Sequence, residues 1–181
     1  FINAKGLLDI QVLPENTSRN VLAEASGAMI QTGSKSEKTE FQIESVSGND
    51  VNGAGFDATV FVNLANLSSL NLDPSKQPLS NQYDLTTILE HELLHAMGFT
   101  GEIGAGSGVL SSYDQFVSFV NGQPFFTGAN AQAAYGGPVP LAPSSAGAGS
   151  AYYHVNISND LMSTSIAAGQ VRTISKLDIA M

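Results

Sequence analysis

The pattern of apolar and polar positions predicts strands and one helix in the first part of the chain. A short apolar run at 6–12 is typical of a strand, and apolar residues at helical spacing predict a helix over 16–31 that ends before Gly33. After a charged turn, runs rich in β-branched and aromatic residues predict two further strands, at 41–46 and 58–67. The first half of the chain therefore mixes strand and helix.

The most regular helical pattern of the sequence covers positions 84–97. Asp84 can cap the first turn of this helix, and Gly98 can end it. Beyond it, positions 99–153 are rich in Gly, Ala, Ser and Pro, and only 113–120 predicts a helix. So long a segment with little regular structure is uncommon in a compact domain, and we interpret it as an insertion on one side of a functional site.

The end of the chain predicts a last helix over 173–181. Ser175 can cap this helix, and Asp178 follows at the spacing of a capping box. The sequence stops after barely two helical turns, and it begins with Phe1 rather than Met. We therefore expect a domain cut from a longer polypeptide.

The length of 181 residues has room for a single domain, 1–181. We divide it into an N-terminal half, 1–98, and an insertion with a C-terminal half, 99–181. Hydrophobic residues make up 43% of the chain and charged residues 13%, which describes a folded protein rather than a disordered one.

Charge and the absence of cysteine exclude several classes of function. Acidic residues outnumber basic residues by 16 to 7, and the net charge of −9 repels nucleic-acid phosphates, so we expect no nucleic-acid partner. The sequence has no stretch of 18 apolar residues, so we expect no membrane insertion. Because there is no cysteine, any metal must be held by carboxylates, carbonyls or the three histidines.

The predicted helix at 84–97 carries the letters HELLH at positions 91–95, which have the form HExxH. Residues four apart lie on one face of a helix, so His91 and His95 can reach one metal ion. Zinc is the first choice, because it takes nitrogen ligands and, with three protein ligands, leaves a fourth position for water. Glu92 is out of register with both histidines and can take a proton from that water.

The same letters also fit an ordinary amphipathic helix whose histidines bind no metal, because matches of this length occur by chance. Two observations favour the metal site. The match lies on a well-predicted helix, and it contains two of the three histidines of the chain. The third, His154, stands just before another candidate motif.

Extended to Gly98, the motif reads HExxHxxG and resembles the metzincin clan of zinc metalloproteases. The resemblance implies that Gly98 terminates the helix, so that the chain can turn back toward the metal. The common metzincin pattern has its third histidine at the position occupied here by Gly101. His154 is the remaining histidine, 59 residues after His95, and this insertion resembles the leishmanolysin-type arrangement.

Other third ligands stay open at the level of sequence. Glu102 and Asp114 follow the predicted helix, Asp160 follows His154, and each carries a carboxylate that can coordinate a metal. We prefer His154, because neutral imidazole is a common zinc ligand and this residue precedes a segment that resembles the metzincin Met-turn.

That segment is NDLMS at 159–163, and Met162 is the candidate for the methionine that supports a metzincin metal site without binding the ion. A buried methionine more commonly fills space in a core. Some metzincins have a tyrosine two residues after the methionine, where this sequence has Thr164. Tyr152 and Tyr153 adjoin His154, and we assign them to packing rather than to catalysis.

The resemblance implies an α+β, metzincin-like zincin domain with a twisted mixed sheet, an active-site helix and a loop-rich C-terminal half. It also implies a secreted, bacterial zinc endopeptidase that acts on a protein or peptide. In that enzyme His91, His95 and His154 bind one zinc ion, and Glu92 is the general base. We expect a monomer. A calcium ion is considered as well, although the sequence has no EF-hand loop pattern.

Two other functions would use the same residues. One is a binding or adhesion module of a larger surface protein that contains zinc but has no catalytic activity. Glu92 argues against it, because a purely structural site has no need of a base beside its ligands. The other is a zinc hydrolase of non-peptide amides or esters, which differs from a peptidase in its substrate alone.

Overall fold

The structure, a computed structural model, describes residues 5–18 and 21–181. Phe1, and positions 19 and 20 of the helix predicted over 16–31, lie outside the described residues. The strands are β1 Ile10–Glu15, β2 Ala23–Gly27, β3 Met29–Gly33, β4 Ser36–Thr39, β5 Ala58–Asn63, β6 Leu70–Asn71, β7 Tyr83–Asp84, β8 Leu110–Ser111, β9 Val117–Val120, β10 Gln123–Phe126 and β11 Val139–Pro140. The α-helices are α1 Glu40–Ser47, α2 Leu85–Met97, α3 Ala129–Tyr135 and α4 Lys176–Ala180. Short 3-10 helices cover Leu64–Ser69, Asp114–Phe116 and Ser144–Ala146.

The α+β class predicted from the sequence is confirmed, but the strands do not form one twisted mixed sheet. In the part of the chain that the structure describes, they are divided among small sheets with the orders β1-β5-β2, β11-β10-β9, β3-β4-β8 and β6-β7. The first and third of these sheets contain both parallel and antiparallel pairs. Every described strand after β5 has only two to four residues, so the second half is rich in loops, as predicted.

Strand β5 is the centre of the N-terminal sheet. Its sequence ATVFVN is rich in β-branched residues, and it pairs in parallel with β1 and antiparallel with β2. Val60 lies opposite both Val12 and Ala25 and is fully buried. The edge strand β2 packs against α2, so the sheet places β2 beside the helix that carries the HELLH motif.

The helix predicted over 16–31 is wrong within the described residues, because this segment forms β2 and β3. Its apolar spacing fits a helix, but pairing with β5 and β4 decides the structure. Small residues let β2 approach α2 closely. A Cβ atom on Gly27 would lie 3.4 Å from the carbonyl oxygen of Ala96.

The strand predicted over 41–46 is also wrong, because this segment is helix α1. The hydroxyl of Thr39 accepts a hydrogen bond from the backbone N–H of Gln42, and the side chain of Gln42 accepts one from the N–H of Thr39. This capping box fixes the start of the helix, and Gly48, with φ of 77°, ends it. The capping box favours a helix here more strongly than the irregular apolar alternation of 41–46 favours a strand.

Two other predicted elements have different bounds. The strand expected at 6–12 begins only at Ile10, and the strand expected at 58–67 ends at Asn63. The side-chain oxygen of Asn63 accepts a hydrogen bond from the N–H of Ala65, which starts the 3-10 helix that follows.

The helix predicted over 113–120 is wrong, because a single 3-10 turn leads there into β9, whose Val, Ser, Phe and Val favour a strand. The helix predicted over 173–181 is much shorter and covers only α4. Its predicted start is confirmed, since Ser175 and Asp178 form a capping box.

Helix α2 has the predicted bounds, with Asp84 as its N-cap. Helix α2 contributes Leu94 to a cluster of buried apolar side chains, most of which come from the second half of the chain. These side chains are Leu94, Phe99, Tyr113, Phe126, Ala131, Val139, Leu141, Val155, Leu161 and Met162. No helix among the described residues is both long enough and apolar enough to span a bilayer.

Candidate metal centre

The start of α2 is fixed by the buried carboxylate of Asp84. This carboxylate accepts hydrogen bonds from the backbone N–H of Thr87 at 2.8 Å and from the hydroxyl of Thr87 at 2.9 Å. The side chain of Asn71 donates to its other oxygen at 3.3 Å. The cap fixes where the helix begins, and His91 and His95, four residues apart, point from the same face of it.

The structure brings all three histidines of the chain to one point. The Nε2 atoms of His91 and His95 lie 3.0 Å apart, and the Nε2 atom of His154 lies 3.2 Å from the first and 3.1 Å from the second. His154 is buried, and the other two are partly buried. The three histidines therefore form a group that could bind a metal ion.

A backbone carbonyl fixes the tautomer of each ring. The Nδ1 atoms of His91, His95 and His154 lie 2.8, 2.6 and 3.0 Å from carbonyl oxygens, which belong respectively to Leu161, Phe99 and Ser150. Because a carbonyl oxygen can only accept, each Nδ1 carries the proton and each Nε2 presents a lone pair. Three lone pairs that face one another are satisfied by a cation, and this donor set suits a metal.

Burial keeps the three rings neutral. It lowers the pKa of His91 and lowers that of His154 to about 4, with the neighbouring His91 as a second cause for His154. Burial also lowers the pKa of His95 to well below its ordinary value, and the two other histidines add to this effect. Neutral imidazole is the form that ligates metals, so the histidines need lose no proton to bind one.

The long segment before His154 contributes to its position. The N–H of Ala142 donates to the carbonyl of His154 at 2.8 Å, and the N–H of Tyr152 donates to the carbonyl of Ala142 at 2.9 Å. Leu141 and Val155 form an antiparallel bridge. The predicted insertion is thus a packed part of the domain, and its strand-like pairing around 141–155 holds the third histidine.

Gly98 ends α2 with φ of 123°, a region that favours glycine. A Cβ atom at this position would collide with the side-chain amide of Gln42. The tight end lets the N–H of Phe99 donate to the carbonyl of Leu94 at 3.0 Å and brings the carbonyl of Phe99 to His95. The glycine therefore also serves to orient a histidine.

The turn at 159–163 contacts both segments that carry histidines, helix α2 and the segment around His154. Leu161 accepts the hydrogen bond from His91, and the carbonyl of Met162 accepts one from the N–H of Val155 at 2.9 Å. The side chain of Met162 is fully buried in the core cluster. Asn159 has φ of 65°, as a tight turn requires.

Arg172, which lines the cleft, also holds this turn, and nothing in the sequence distinguishes it from the other six basic residues. One guanidinium nitrogen donates to the carbonyls of Asp160 and Ser165 at 2.9 Å and to the hydroxyl of Ser163 at 2.6 Å. The Arg172 guanidinium thus binds three oxygen atoms of one loop and holds them close together.

Glu92 lies in the same cleft as the three histidines and is 8% exposed. Burial, and secondarily the negative charge of Glu24, raise the pKa of Glu92 to about 7. A hydrogen bond from the backbone of Ala25, on β2, acts in the opposite direction. The sequence placed 23–27 in a helix, so it missed this contact.

The cleft has a volume of about 590 Å³. Residues 21–25 and helix α2 of the N-terminal half line it, together with residues of the segments 149–154 and 161–166 of the C-terminal half. Thr164 lines it as well. The ring of Tyr153 lies 5.7 Å from that of His95 and 5.1 Å from that of His154, so this tyrosine borders the site, whereas Tyr152 packs against Phe119.

The other candidate ligands are not in the histidine group. Among the described residues, Glu102, Asp114 and Asp160 belong to no cluster of potential ligands. The carboxylate of Asp114 instead accepts hydrogen bonds from the backbone N–H groups of Glu102 and Ser111, at 2.7 and 2.9 Å. That of Asp160 accepts one from the N–H of Met162 at 3.0 Å. These two aspartates stabilise loops.

Comparisons with known proteins found no protein-family model, no curated protein and no solved structure that matches the chain. The resemblance to metzincins therefore rests on the HExxHxxG and NDLMS motifs of the sequence. What the geometry contributes is the meeting of three histidines in a cleft beside a glutamate.

Proposed function

We propose that the chain is a zinc-dependent endopeptidase of the metzincin type. The observation that carries the proposal is the convergence of three Nε2 atoms, 3.0 to 3.2 Å apart, in a cleft that also holds the carboxyl group of Glu92. A group of metal ligands beside a buried carboxyl, in a cleft of substrate size, is the arrangement that metal-assisted hydrolysis requires.

Zinc suits this donor set, with His91, His95 and His154 as its ligands. Three neutral nitrogens match its preference, and catalytic zinc commonly has three protein ligands. Nitrogens placed tetrahedrally about 2.0–2.1 Å from zinc stand about 3.3–3.4 Å apart, close to the observed separations. When bound, zinc polarises a carbonyl and lowers the pKa of a bound water toward about 7.

Glu92 moves the proton in the proposed reaction. Its carboxylate accepts a proton from the attacking water and then donates it to the nitrogen of the departing amine. The new C–O bond replaces the peptide C–N bond, so one water is consumed for each bond cleaved. In the chain without zinc, burial raises the pKa of Glu92 to about 7, within the range of groups that accept and release protons near neutrality.

A peptide substrate is supported by the position of β2. This strand is at the edge of its sheet and lines the cleft, a place where an extended peptide can be bound by strand addition. The acidic, cysteine-free composition fits a bacterial extracellular enzyme. Secretion and a monomeric state are parts of the same proposal.

Metal content and casein hydrolysis, measured on the same samples, test the proposal. We expect one zinc per wild-type chain with activity, loss of zinc affinity in His154→Ala, and retention of zinc without activity in Glu92→Gln. Glu90→Gln is the matched control, because Glu90 is two residues away on the same helix and is not among the residues that line the cleft. It should keep both zinc and activity.

Other outcomes would point elsewhere. A wild-type chain that holds zinc but cleaves neither casein nor small substrates would be the binding or adhesion module. Cleavage of small amides or esters alone would indicate the non-peptide hydrolase. A His154→Ala variant that binds zinc as the wild type does would remove His154 from the site and the metzincin assignment with it.

A further inference from the structure

We infer that the N-terminal half contains a second metal site, which binds one calcium ion between α1, the loop at 48–57 and the start of β5. Its ligands are the carboxylates of Glu40, Glu44 and Asp57, together with the side-chain oxygen of Asn52. This site is separate from the histidine group and does not depend on the proposed peptidase activity.

The three carboxylates meet inside the protein. Glu40 and Glu44 are four residues apart and share one face of α1, and Asp57 immediately precedes β5. One oxygen from each lies within 4.8 Å of the others. Two oxygens bound to the same calcium ion can be at most about 4.8 Å apart, because each Ca–O distance is about 2.4 Å. The spacing therefore fits one ion.

Burial makes this cluster unlike an ordinary acidic surface. Glu40 is 0% exposed, Asp57 is 3% exposed and Glu44 is 8% exposed. Within residues 5–18 and 21–181, no lysine or arginine forms an ion pair with any of the three. Buried carboxylates are very costly unless a proton or a cation balances their charge, and three at one point call for a cation.

Two oxygens at the cluster have no hydrogen-bond partner among the described residues. They are Oε2 of the fully buried Glu40 and Oδ1 of Asn52, and neither atom is accessible to solvent. The amide nitrogen of Asn52 donates to Asp57 at 3.3 Å, so this side chain borders the cluster. Buried acceptors without donors are rare in folded proteins, and a cation satisfies both oxygens.

Backbone donors hold one oxygen of each carboxylate in place. Oε1 of Glu40 accepts from the N–H groups of Val51 and Asn52, at 2.7 and 3.0 Å. Oε1 of Glu44 accepts from Leu7 at 2.9 Å.

The third carboxylate is anchored in the same way, because Oδ2 of Asp57 accepts from the N–H of Asp9 at 2.6 Å. A Cβ atom on Gly6 would collide with the side chain of Glu44, so the chain passes close to this glutamate. Such outer hydrogen bonds orient ligands before a metal arrives.

The donor chemistry selects calcium. All the ligands are oxygens, which excludes the nitrogen and sulfur environment that zinc prefers. Calcium accepts irregular arrangements of six to eight oxygens, and waters can complete the set. Magnesium demands a near-ideal octahedron at about 2.0–2.1 Å and gives up its waters reluctantly, so a cage of several protein oxygens suits calcium better. The loop lacks the EF-hand pattern, so the sequence alone gave no reason to place calcium here.

The site would stabilise the sheet beside the cleft. It would join α1 to the loop that leads into β5, and β5 pairs with β2, which lines the cleft. Calcium that binds only the folded state raises the free energy of unfolding. At concentrations above the Kd, the increase is proportional to the logarithm of the calcium concentration.

Equilibrium dialysis with radioactive calcium, and thermal unfolding with and without CaCl2, test the inference on the zinc-loaded chain. We expect one calcium per wild-type chain and an unfolding midpoint that rises with calcium concentration. Glu40→Gln and Asp57→Asn should each weaken calcium binding by at least about tenfold, because each removes one ligand charge. His154→Ala should bind calcium as the wild type does.

Asp50→Asn is the matched control. Asp50 is exposed, lies in the same loop and accepts a hydrogen bond from the N–H of Gly53, which the amide oxygen can replace. Its calcium affinity should stay within about twofold of wild type, because exposed charges contribute little. If Glu40→Gln fails to fold, Asp57→Asn and the wild-type stoichiometry still decide. A wild type that neither binds millimolar calcium nor gains stability from it would overturn the inference, as would folded Glu40→Gln and Asp57→Asn variants with wild-type affinity.

Discussion

The Nδ1 atom of His91 donates a hydrogen bond to the carbonyl oxygen of Leu161 at 2.8 Å, across 70 residues of the chain. The next residue, Met162, accepts a hydrogen bond from the N–H of Val155, which adjoins His154. One turn thus orients one histidine and holds the segment that carries another. Substitutions that loosen this turn should therefore change metal affinity without touching a ligand.

Arg172→Met tests this connection. The substitution removes the guanidinium that donates to the carbonyls of Asp160 and Ser165 and to the hydroxyl of Ser163, so the turn that orients His91 loses three hydrogen bonds. We expect zinc affinity to fall by about tenfold, the lower end of the effect of removing outer contacts of a metal site. Competition with a coloured zinc chelator measures this change.

Lys176→Met is the control for the lost charge. Lys176 is four residues further along and exposed, so its substitution should leave zinc affinity unchanged. Equal affinity for zinc in Arg172→Met and wild type would show that the turn holds its shape without the guanidinium, and the proposed connection would be wrong.

The sequence could predict the parts of the site that depend on local structure. The spacing of His91 and His95 and the cap at Asp84 are encoded within one helix, and the end of that helix is marked by Gly98. The position of His154 depends on pairing between residues near 141 and 155, which no local pattern reveals. Only the scarcity of histidines and the resemblance to metzincins pointed to it.

The two wrong predictions in the first half, at 16–31 and 41–46, both come from segments whose apolar pattern is a weak signal. Short segments carry weak periodicity, and long-range pairing or a cap decides their conformation. Residues 23–27 pair with β5 and are a strand, although their spacing fits a helix. For α1 a local signal did exist, because Thr39 and Gln42 have the spacing of a capping box. The buried acidic cluster combines a helix face with a distant loop, so sequence spacing alone did not reveal it.

Gly98→Ala should lower the free energy of unfolding more than an ordinary glycine substitution at a helix end does. Positive φ costs alanine about 1 kcal/mol, and collision with the amide of Gln42 adds about 1–3 kcal/mol to the loss of unfolding free energy. Because the end of α2 also brings the carbonyl of Phe99 to His95, zinc affinity should fall as well. Chemical denaturation and chelator competition measure the two effects.

Gly136→Ala is the matched control for that substitution. Gly136 ends α3 with φ of 94°, and a Cβ atom there meets nothing within 4 Å. This variant should lose about 1 kcal/mol and keep its zinc affinity. If the two alanine variants were equally stable, the contact with Gln42 would have no energetic role.

Met162 can be tested for a role beyond packing. Met162→Ala should lower the unfolding free energy by about 2–5 kcal/mol, because the side chain is fully buried, whereas Met162→Leu should cost less than about 1.5 kcal/mol. If the methionine supports the metal site, the alanine variant should also lose zinc affinity. Phe126→Ala, in the same core cluster, should lose stability alone. Similar zinc affinity in both alanine variants would reduce Met162 to a packing residue.

Asp178 should make stability decline with rising pH in the mildly acidic range. Burial raises the pKa of this carboxyl from 3.8 to about 6. One of its oxygens is buried without a hydrogen-bond partner among the described residues. Between these two values the folded state binds more protons than the unfolded state, so the free energy of unfolding falls as the pH rises. The contribution is fully lost above the folded-state pKa.

Asp178→Asn isolates this effect, because the amide oxygen can still accept the hydrogen bond from the N–H of Ser175. Relative to the variant, the wild type should lose about 2 kcal/mol of unfolding free energy between about pH 4 and pH 7, measured by urea denaturation across that range. Asp73→Asn should change the slope in the opposite direction, since the Ser75 hydroxyl lowers the pKa of the exposed Asp73. Parallel pH profiles for the wild type and Asp178→Asn would mean that this carboxyl has the same pKa in the folded and unfolded states. Burying the ionised Asp178 would then not lower the free energy of unfolding at neutral pH.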